Sequence, residues 1–243
     1  IYREGVRAYR AGDLRRALEL FQQVLDIDQA VEGVYWAAEH GMKGILMPGV
    51  SPDTPWIEPL YSPNYDPIWR AVEETGLVLT SHSGATGVPN FGQYRISTVM
   101  YVMEAGFFAN RSLWHLVMSG VFERFPKLKM VMIEAGFGWA PSLAWRLDRS
   151  FERLHSEVPH LKRKPSEYIR DHIWWTTQPM EDPERREHLF ETIEWIGWDK
   201  LLFATDYPHW DFDEPSRVLP VGVSDANKQA FYLDNAKKLY GIS

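Results

Sequence analysis

Cysteine is absent from the 243 residues, which removes disulfide bridges, thiolate nucleophiles and cysteine-ligated zinc together. The absence fits a reducing, cytoplasmic compartment. Positive charge is also short, because 26 Lys and Arg stand against 33 Asp and Glu for a formal net charge of −7. Nucleic acid and anionic membrane surfaces both recruit clustered Lys and Arg, so neither is expected as a partner. Arg15-Arg16 and Arg185-Arg186 lie beside acids in helix-like stretches and read as solvated faces. No apolar run approaches the roughly 18 residues that a membrane span needs. The first residues lack the pattern of a signal peptide. A glycine-rich phosphate loop follows none of the strand-like runs, which removes the commonest reason for an open, doubly wound sheet.

What is present is an alternation. The composition, 45% hydrophobic and 24% charged, supports one large core. From about residue 28, apolar runs of strand length alternate with stretches of helical periodicity. Asp28 is placed to cap a helix carrying Val31, Val34 and Ala38, and Gly41 stops it. The runs 44–48, 77–82, 128–133, 172–177 and 201–205 read as strands. Asp66-Pro67 and Asp182-Pro183 read as helix starts, and Leu113, Leu116, Val117 and Val121 mark a helix ended before Pro126. A helix carries Leu143, Leu147, Phe151 and Leu154, and Phe231 to Tyr240 belong to a closing helix. Such alternation indicates parallel βαβ units, either in a (β/α)8 TIM-type barrel or in an open sheet. Polar residues end several successive strands, and barrels gather their chemistry at that rim, so the barrel is favoured. Five strand-like runs fall short of eight, and the sequence starts at Ile1. N-terminal strands are therefore expected to be missing or altered.

Three strand-like runs end in chemistry. Leu201 to Thr205 delivers Asp206, followed at once by Tyr207-Pro208-His209-Trp210-Asp211. Two earlier runs end the same way, one in Thr80-Ser81-His82 and the other in Ile133-Glu134. A carboxylate at the end of a buried strand is costly without a partner, so it serves as a metal ligand, a general base or half of an ion pair. A histidine and two carboxylates on strand ends of one barrel converge on one axis, and that donor set suits a divalent metal: zinc, manganese or iron. His82, Asp206 and Glu134 are thus the candidate ligands, and Glu134, Asp206 and His209 the candidate catalytic groups. His209 is expected to orient Asp206 or touch substrate. His115, among Leu113, Trp114 and Leu116, reads as a packed or surface histidine, and Arg95 and Arg111 read as substrate-carboxylate binders or surface ion pairs. Several of the 11 Trp (Trp139, Trp174, Trp175, Trp210) adjoin candidate residues and suit either an aromatic-lined pocket or the core.

Three separated motifs, Phe203 to Asp211, Ser119 to Pro126 and Glu134-Ala135-Gly136-Phe137-Gly138-Trp139, resemble the amidohydrolase superfamily, as does the ending Asp234 to Gly241. The nearest branch is the one containing aminocarboxymuconate-semialdehyde decarboxylase-like enzymes, and the resemblance covers roughly residues 28–243. It implies a barrel with one divalent metal, most often zinc. It also implies hydrolysis or non-oxidative decarboxylation of a small organic acid or amide, and commonly a homodimer. By motif, His82 would be the mid-barrel metal-binding histidine and Asp206 the late-strand metal-binding aspartate. The family's first strand carries a His-x-His pair, which this sequence lacks, and Glu134 stands where many members place a catalytic histidine. The alternative is a catalytically impaired barrel acting as a structural or partner subunit. Residues 1–27 differ from the rest: Leu14, Ala17, Leu18, Phe21 and Leu25 keep helical spacing, and Tyr9-Arg10-Ala11-Gly12-Asp13 resembles a tetratricopeptide-repeat turn. One such unit cannot bury its own face, so a helical segment docked on the barrel is expected there.

Overall fold

Five short strands form one parallel sheet: β1 (Gly44–Leu46), β2 (Val78–His82), β3 (Met130–Ile133), β4 (Ile173–Thr176) and β5 (Leu201–Leu202). The computed structural model describes residues 2–13, 15–16, 26–47, 57–83, 89–219 and 222–242. Strand order follows the sequence, β1 to β5, with every pair parallel. Right-handed crossovers between neighbours taken in order put all connecting segments on one side of the sheet. A doubly wound sheet reverses its order partway, and no such reversal occurs among the described residues.

The pleat and the register then sort the side chains. Leu79, Met130 and Ile173 pair across β2, β3 and β4, as do Ser81, Met132 and Trp175, and all are at most 1% exposed. These residues face the helices, and all but the polar Ser81 belong to the large core. The alternate residues Val78, Val131 and Leu202 form a smaller cluster on the opposite face, which Leu239 closes with Ala236 and Tyr240 packed beside it. Thr80, His82, Ile133 and Thr176 on that second face stay half-buried.

The helices are α1 (Tyr2–Arg10), α2 (Ile27–Glu39), α3 (Asp66–Thr75), α4 (Ser97–Met118), α5 (Val121–Arg124), α6 (Ala140–Arg153), α7 (Pro165–His172) and α8 (Arg186–Ile196). The chain closes with α9 (Asp225–Gln229), a wide π-type turn over Ala230–Asp234, and α10 (Asn235–Tyr240). After α1 the chain turns at Gly12 (φ 80), and Asp13 accepts the Arg16 amide at 3.0 Å. Leu14, Ala17, Leu18, Phe21 and Leu25, which carry the helical spacing of that segment, lie outside the described residues, as does Pro48.

Several boundaries differ from expectation for identifiable reasons. Asp26, not Asp28, caps α2: its carboxylate accepts the amides of Asp28 and Gln29, which makes Asp28 a donor rather than the cap. Asp66 opens α3 without capping it, because both carboxylate oxygens are taken by Arg124 at 2.9 and 2.8 Å. Gly76 ends α3 in the left-handed region (φ 72), where a Cβ would be strained. Asp182-Pro183 opens no helix, since α8 begins at Arg186. The segment before it is held across the strand ends by Met180 N to Asp213 Oδ2 (2.8 Å) and by the Glu181 carboxylate. The last strand stops at Leu202, because Phe203 donates to Phe231 of the closing segment instead of to a strand.

Asn235 fastens the closing helix. Its side-chain amide, 6% exposed with its residue, donates to the carbonyls of Trp198 (2.7 Å) and Leu201 (2.8 Å). Asn235→Leu keeps a side chain of similar size and orphans the buried Leu201 acceptor and the half-buried Trp198 acceptor. A loss of about 2–3 kcal/mol is expected, read as a lower urea midpoint at unchanged m-value. A loss below about 0.5 kcal/mol would mean that the two bonds carry nothing.

Candidate metal centre

The strand ends of β2, β3 and β5 lie side by side in the sheet, separated only by β4 between the last two. His82 is the last residue of β2, and Glu134 follows the last residue of β3. Asp206 follows β5 after a short extended run. Glu134 and Asp206 are the two non-glycine residues with positive φ among those described, at 51° and 57°. That conformation costs a residue with a Cβ on the order of 1 kcal/mol and concentrates where surrounding contacts dictate where a side chain points. Thr176, on β4, supplies one such contact by accepting the Glu134 amide at 3.1 Å.

The turn after Asp206 brings its own partners. The His209 amide donates to the Asp206 carbonyl (2.8 Å), which folds the imidazole back so that Nδ1 lies 3.2 Å from Asp206 Oδ2. The same nitrogen is bonded to Asp211 Oδ1. Glu134, Asp206 and His209 each place a ligand atom within 4.8 Å of the others. His82 reaches this group through Glu134, with Nε2 2.8 Å from Oε2. His209 therefore sits inside the tight cluster, and His82 stands one contact further out.

Burial pushes the Glu134 carboxyl above its ordinary range; His82 opposes that shift, and the negative charge of Asp206 adds to it. The bond to Asp211 raises His209. Three carboxylates gathered against two imidazoles are short of positive charge, which a cation supplies best. Two ligands of one zinc or similar ion are at most about 4.4 Å apart, so a contraction of a few tenths of an ångström would let the three atoms share an ion. Carboxylate oxygen and imidazole nitrogen are the donors that zinc, manganese and iron accept. The donor set fits a divalent metal.

A cavity of about 630 Å³ opens beside the cluster, lined by Tyr101, Met103 and Trp210 together with His82, Glu134, Glu181 and Asp211. Of the four tryptophans singled out by position, Trp210 lines this cavity. Trp175 is core at 1% exposure, Trp139 packs against it edge-on at 5.1 Å, and Trp174 lies under the Lys200 ammonium. Arg95 and Arg111 are not among the described residues that line it. Sequence reasoning missed Thr176, Glu181 and the wall from α4. Glu181 lay in a stretch read as a helix start, and Tyr101 and Met103 in one without clear period. A separate hollow of about 750 Å³ beside His115, Trp114 and Arg124 shares no lining residue with the centre.

Known proteins resemble this chain across most of its length. It is 26% identical over 212 residues to a gamma-resorcylate decarboxylase of Polaromonas sp. (strain JS666 / ATCC BAA-500), a match covering 84% of this chain and 64% of that protein. The chain thus spans just under two thirds of that relative. An amidohydrolase from Mycobacterium avium subsp. paratuberculosis K-10 superposes with a TM-score of 0.69 at 24% identity, over 90% of this chain and 56% of that one. A dihydroxybenzoic acid decarboxylase from Polaromonas sp. JS666, solved with bound manganese and the inhibitor 2-nitroresorcinol, gives 0.65 at 20% identity over 98% and 76%. The amidohydrolase family model matches residues 5–242, and the chain therefore belongs to that family.

Proposed function

We propose that this protein is a divalent-metal-dependent enzyme of the amidohydrolase type that removes carbon dioxide, without oxidation, from a small aromatic acid. One observation carries the reading: Glu134, Asp206 and His209 offer ligand atoms within 4.8 Å of one another at the strand ends. The relatives' names support the substrate class, and the aromatic wall of the cavity suits a flat apolar body. Sequential parallel strands support a (β/α)8 barrel as the complete architecture. Zinc is the metal that the sequence resemblance favours, and manganese is the ion bound in a structural neighbour. No described helix is long and apolar enough to cross a membrane.

Glu134 and Asp206 would hold the ion, joined by His209 of the tight cluster or, where the family resemblance puts the ligand, by His82. A divalent ion there supplies Lewis acidity toward substrate oxygens. Tyr101, Met103 and Trp210 would sandwich the ring and exclude water. Loss of carbon dioxide leaves an electron pair on the ring carbon that must take a proton. His209, when His82 takes the ligand place, has its pKa raised by the bond to Asp211 and is placed to deliver it. Hydrolysis of an amide is the second chemistry that the same donors permit, with Glu134 as the base that accepts a proton from water.

The test is metal titration of metal-stripped protein by calorimetry. One Mn²⁺ or Zn²⁺ per chain is expected, and saturation at about 100 times Kd should add about 2.7 kcal/mol of stability. Asp206→Asn keeps the shape, removes an anionic ligand, and should weaken binding by more than the roughly 10–100-fold typical of an outer contact. Carbon dioxide release from 2,6-dihydroxybenzoate is the activity readout. Wild-type protein that takes up no metal at millimolar concentration would end the proposal.

A further inference from the structure

Glu181 follows β4 and belongs to no expected site, yet it is the centre about which the Glu134 loop is folded. Its Oε2 accepts the amide of Phe137 at 3.1 Å and that of Gly138. The glycines on either side of Phe137 are there to admit it. A Cβ on Gly136 would lie 2.8 Å from Glu181 Oε1, and one on Gly138 would lie 2.6 Å from Oε2. Gly136 also needs a positive φ, 62°, which glycine adopts without strain. Two glycines and two amides of the six-residue stretch from Glu134 to Trp139 are thus shaped by one carboxylate. Trp139 completes the wrap by donating its indole N–H to the Ala135 carbonyl at 2.8 Å.

The same short segment grips the other half of the centre. Gln178 donates its side-chain amide to the Asp211 carbonyl at 3.2 Å, and the Met180 amide donates to Asp213 Oδ2 at 2.8 Å. Residues 178–181 therefore form a strap, bonded on one side to the loop that begins at Glu134 and on the other to the loop that carries Asp206 and His209. The strap thus joins the two loops that carry those ligands. A residue held in the left-handed region, as Glu134 is, keeps that conformation only while its surroundings over-determine it.

We propose that Glu181 is a positioning residue of the metal centre, whose carboxylate fixes the Glu134 loop to the strap and so sets where Glu134 stands relative to Asp206 and His209. The inference deepens the metal-centre reading and rests on it. Two variants separate positioning from mere packing. Glu181→Ala removes both acceptor bonds, and Glu181→Gln keeps an oxygen acceptor at the same reach. Mn²⁺ affinity by calorimetry should fall about 10–100-fold in the alanine variant and stay within about three-fold of wild type in the glutamine variant.

Backbone amide hydrogen exchange of the metal-free proteins gives a second readout, independent of the ion. Exchange at Phe137 and Gly138 should quicken in Glu181→Ala. Exchange at Glu134, whose amide faces Thr176 and not Glu181, should quicken with it and recover in Glu181→Gln. If Phe137 and Gly138 respond while Glu134 and Mn²⁺ affinity hold, Glu181 is only a local support and the proposal is overturned. If wild type takes no Mn²⁺, the metal reading falls by itself and exchange at Glu134 still decides the positioning role. Should Glu181→Ala fail to fold, Gly138→Ala displaces the same carboxylate from the opposite side, and the same pair of outcomes applies.

Discussion

Trp175→Ala should cost about 3–5 kcal/mol and lower the melting temperature by roughly 10 °C, the largest stability effect expected of any single substitution considered. The residue is 1% exposed on β4, on the helix-facing side of the sheet, in register with Met132 of β3 and Leu201 of β5. Its removal opens a void in the centre of the main core, where neighbouring strands restrict collapse, so the cavity term adds to the transfer term. The ring also supports the site. Trp139 meets it edge-on at 5.1 Å and 74°, a geometry that aromatic pairs favour. Trp139 in turn holds Ala135 beside Glu134. The variant should therefore lose metal affinity as well as stability, at a residue that does not line the cavity. Trp210→Ala is the contrast: at 74% exposure it should stay within about 0.5 kcal/mol of wild type. Urea denaturation of the two variants decides the matter. A loss below about 1 kcal/mol for Trp175→Ala would place the core elsewhere.

The comparison of Trp175 with Trp210 also shows what could be read from the sequence and what could not. Both adjoin candidate residues, and spacing alone gives each the same claim to a pocket wall. The pleat separates them: Trp175 alternates with Trp174 on a strand and turns to the helices, whereas Trp210 lies in a turn. Strand positions were legible because period and composition agree there. The runs ending in His82 and Glu134 are β2 and β3 with their ends trimmed by one or two residues. Trimming at 172 has a different cause, since His172 closes α7, a helix of eight residues that the expected pattern did not contain. The front half of α4 was equally silent, because Val99, Tyr101, Val102, Met103 and Phe107 are all exposed and mark no single buried face. Those residues look apolar for the sake of the cavity and the surface, not of the core.

At the site, residue types at strand ends pointed to His82, Glu134 and Asp206, but not to how they pair. That pairing depends on two left-handed residues and on the turn that folds His209 back, and neither has a local signature strong enough to be read in advance. Glu181 was hidden for a more general reason. Its partners are backbone amides 43 and 44 residues away in the chain, and such partners leave no residue type to recognise. Gly136 and Gly138 were the visible trace, as glycines whose missing side chains make room for something distant.

Acid should weaken this protein through His115, and the effect should disappear in His115→Leu. The imidazole lies on α4, 9% exposed, with Nδ1 buried and without a hydrogen-bond partner among the described residues, and with Tyr61 edge-on at 5.0 Å. Burial first, and the nearby Arg111 charge second, lower its pKa from 6.5 to about 4. The folded state therefore resists a proton that the unfolded chain accepts readily. A histidine lowered in this way contributes its full stability above pH 6.5, where both states are neutral. The contribution is lost as pH falls through 6.5 toward 4, because only the unfolded chain gains the proton's binding energy. By pH 4.5 the loss attributable to His115 should reach about 2–3 kcal/mol. His172 acts in the same direction, since burial lowers it as well, although its Nδ1 is bonded to the Leu128 carbonyl at 2.9 Å. The raised carboxyls of Glu134 and Glu181 act oppositely, as they favour folding when protonated. A single pH profile mixes these contributions, and the difference between wild type and His115→Leu isolates one of them. The variant should be less sensitive between pH 7 and 4.5 by that 2–3 kcal/mol, in urea titrations at matched ionic strength. Parallel profiles would show that the imidazole accepts its proton in the folded protein as easily as in water, and that the hollow beside Trp114 and Arg124 is wetter than its lining suggests.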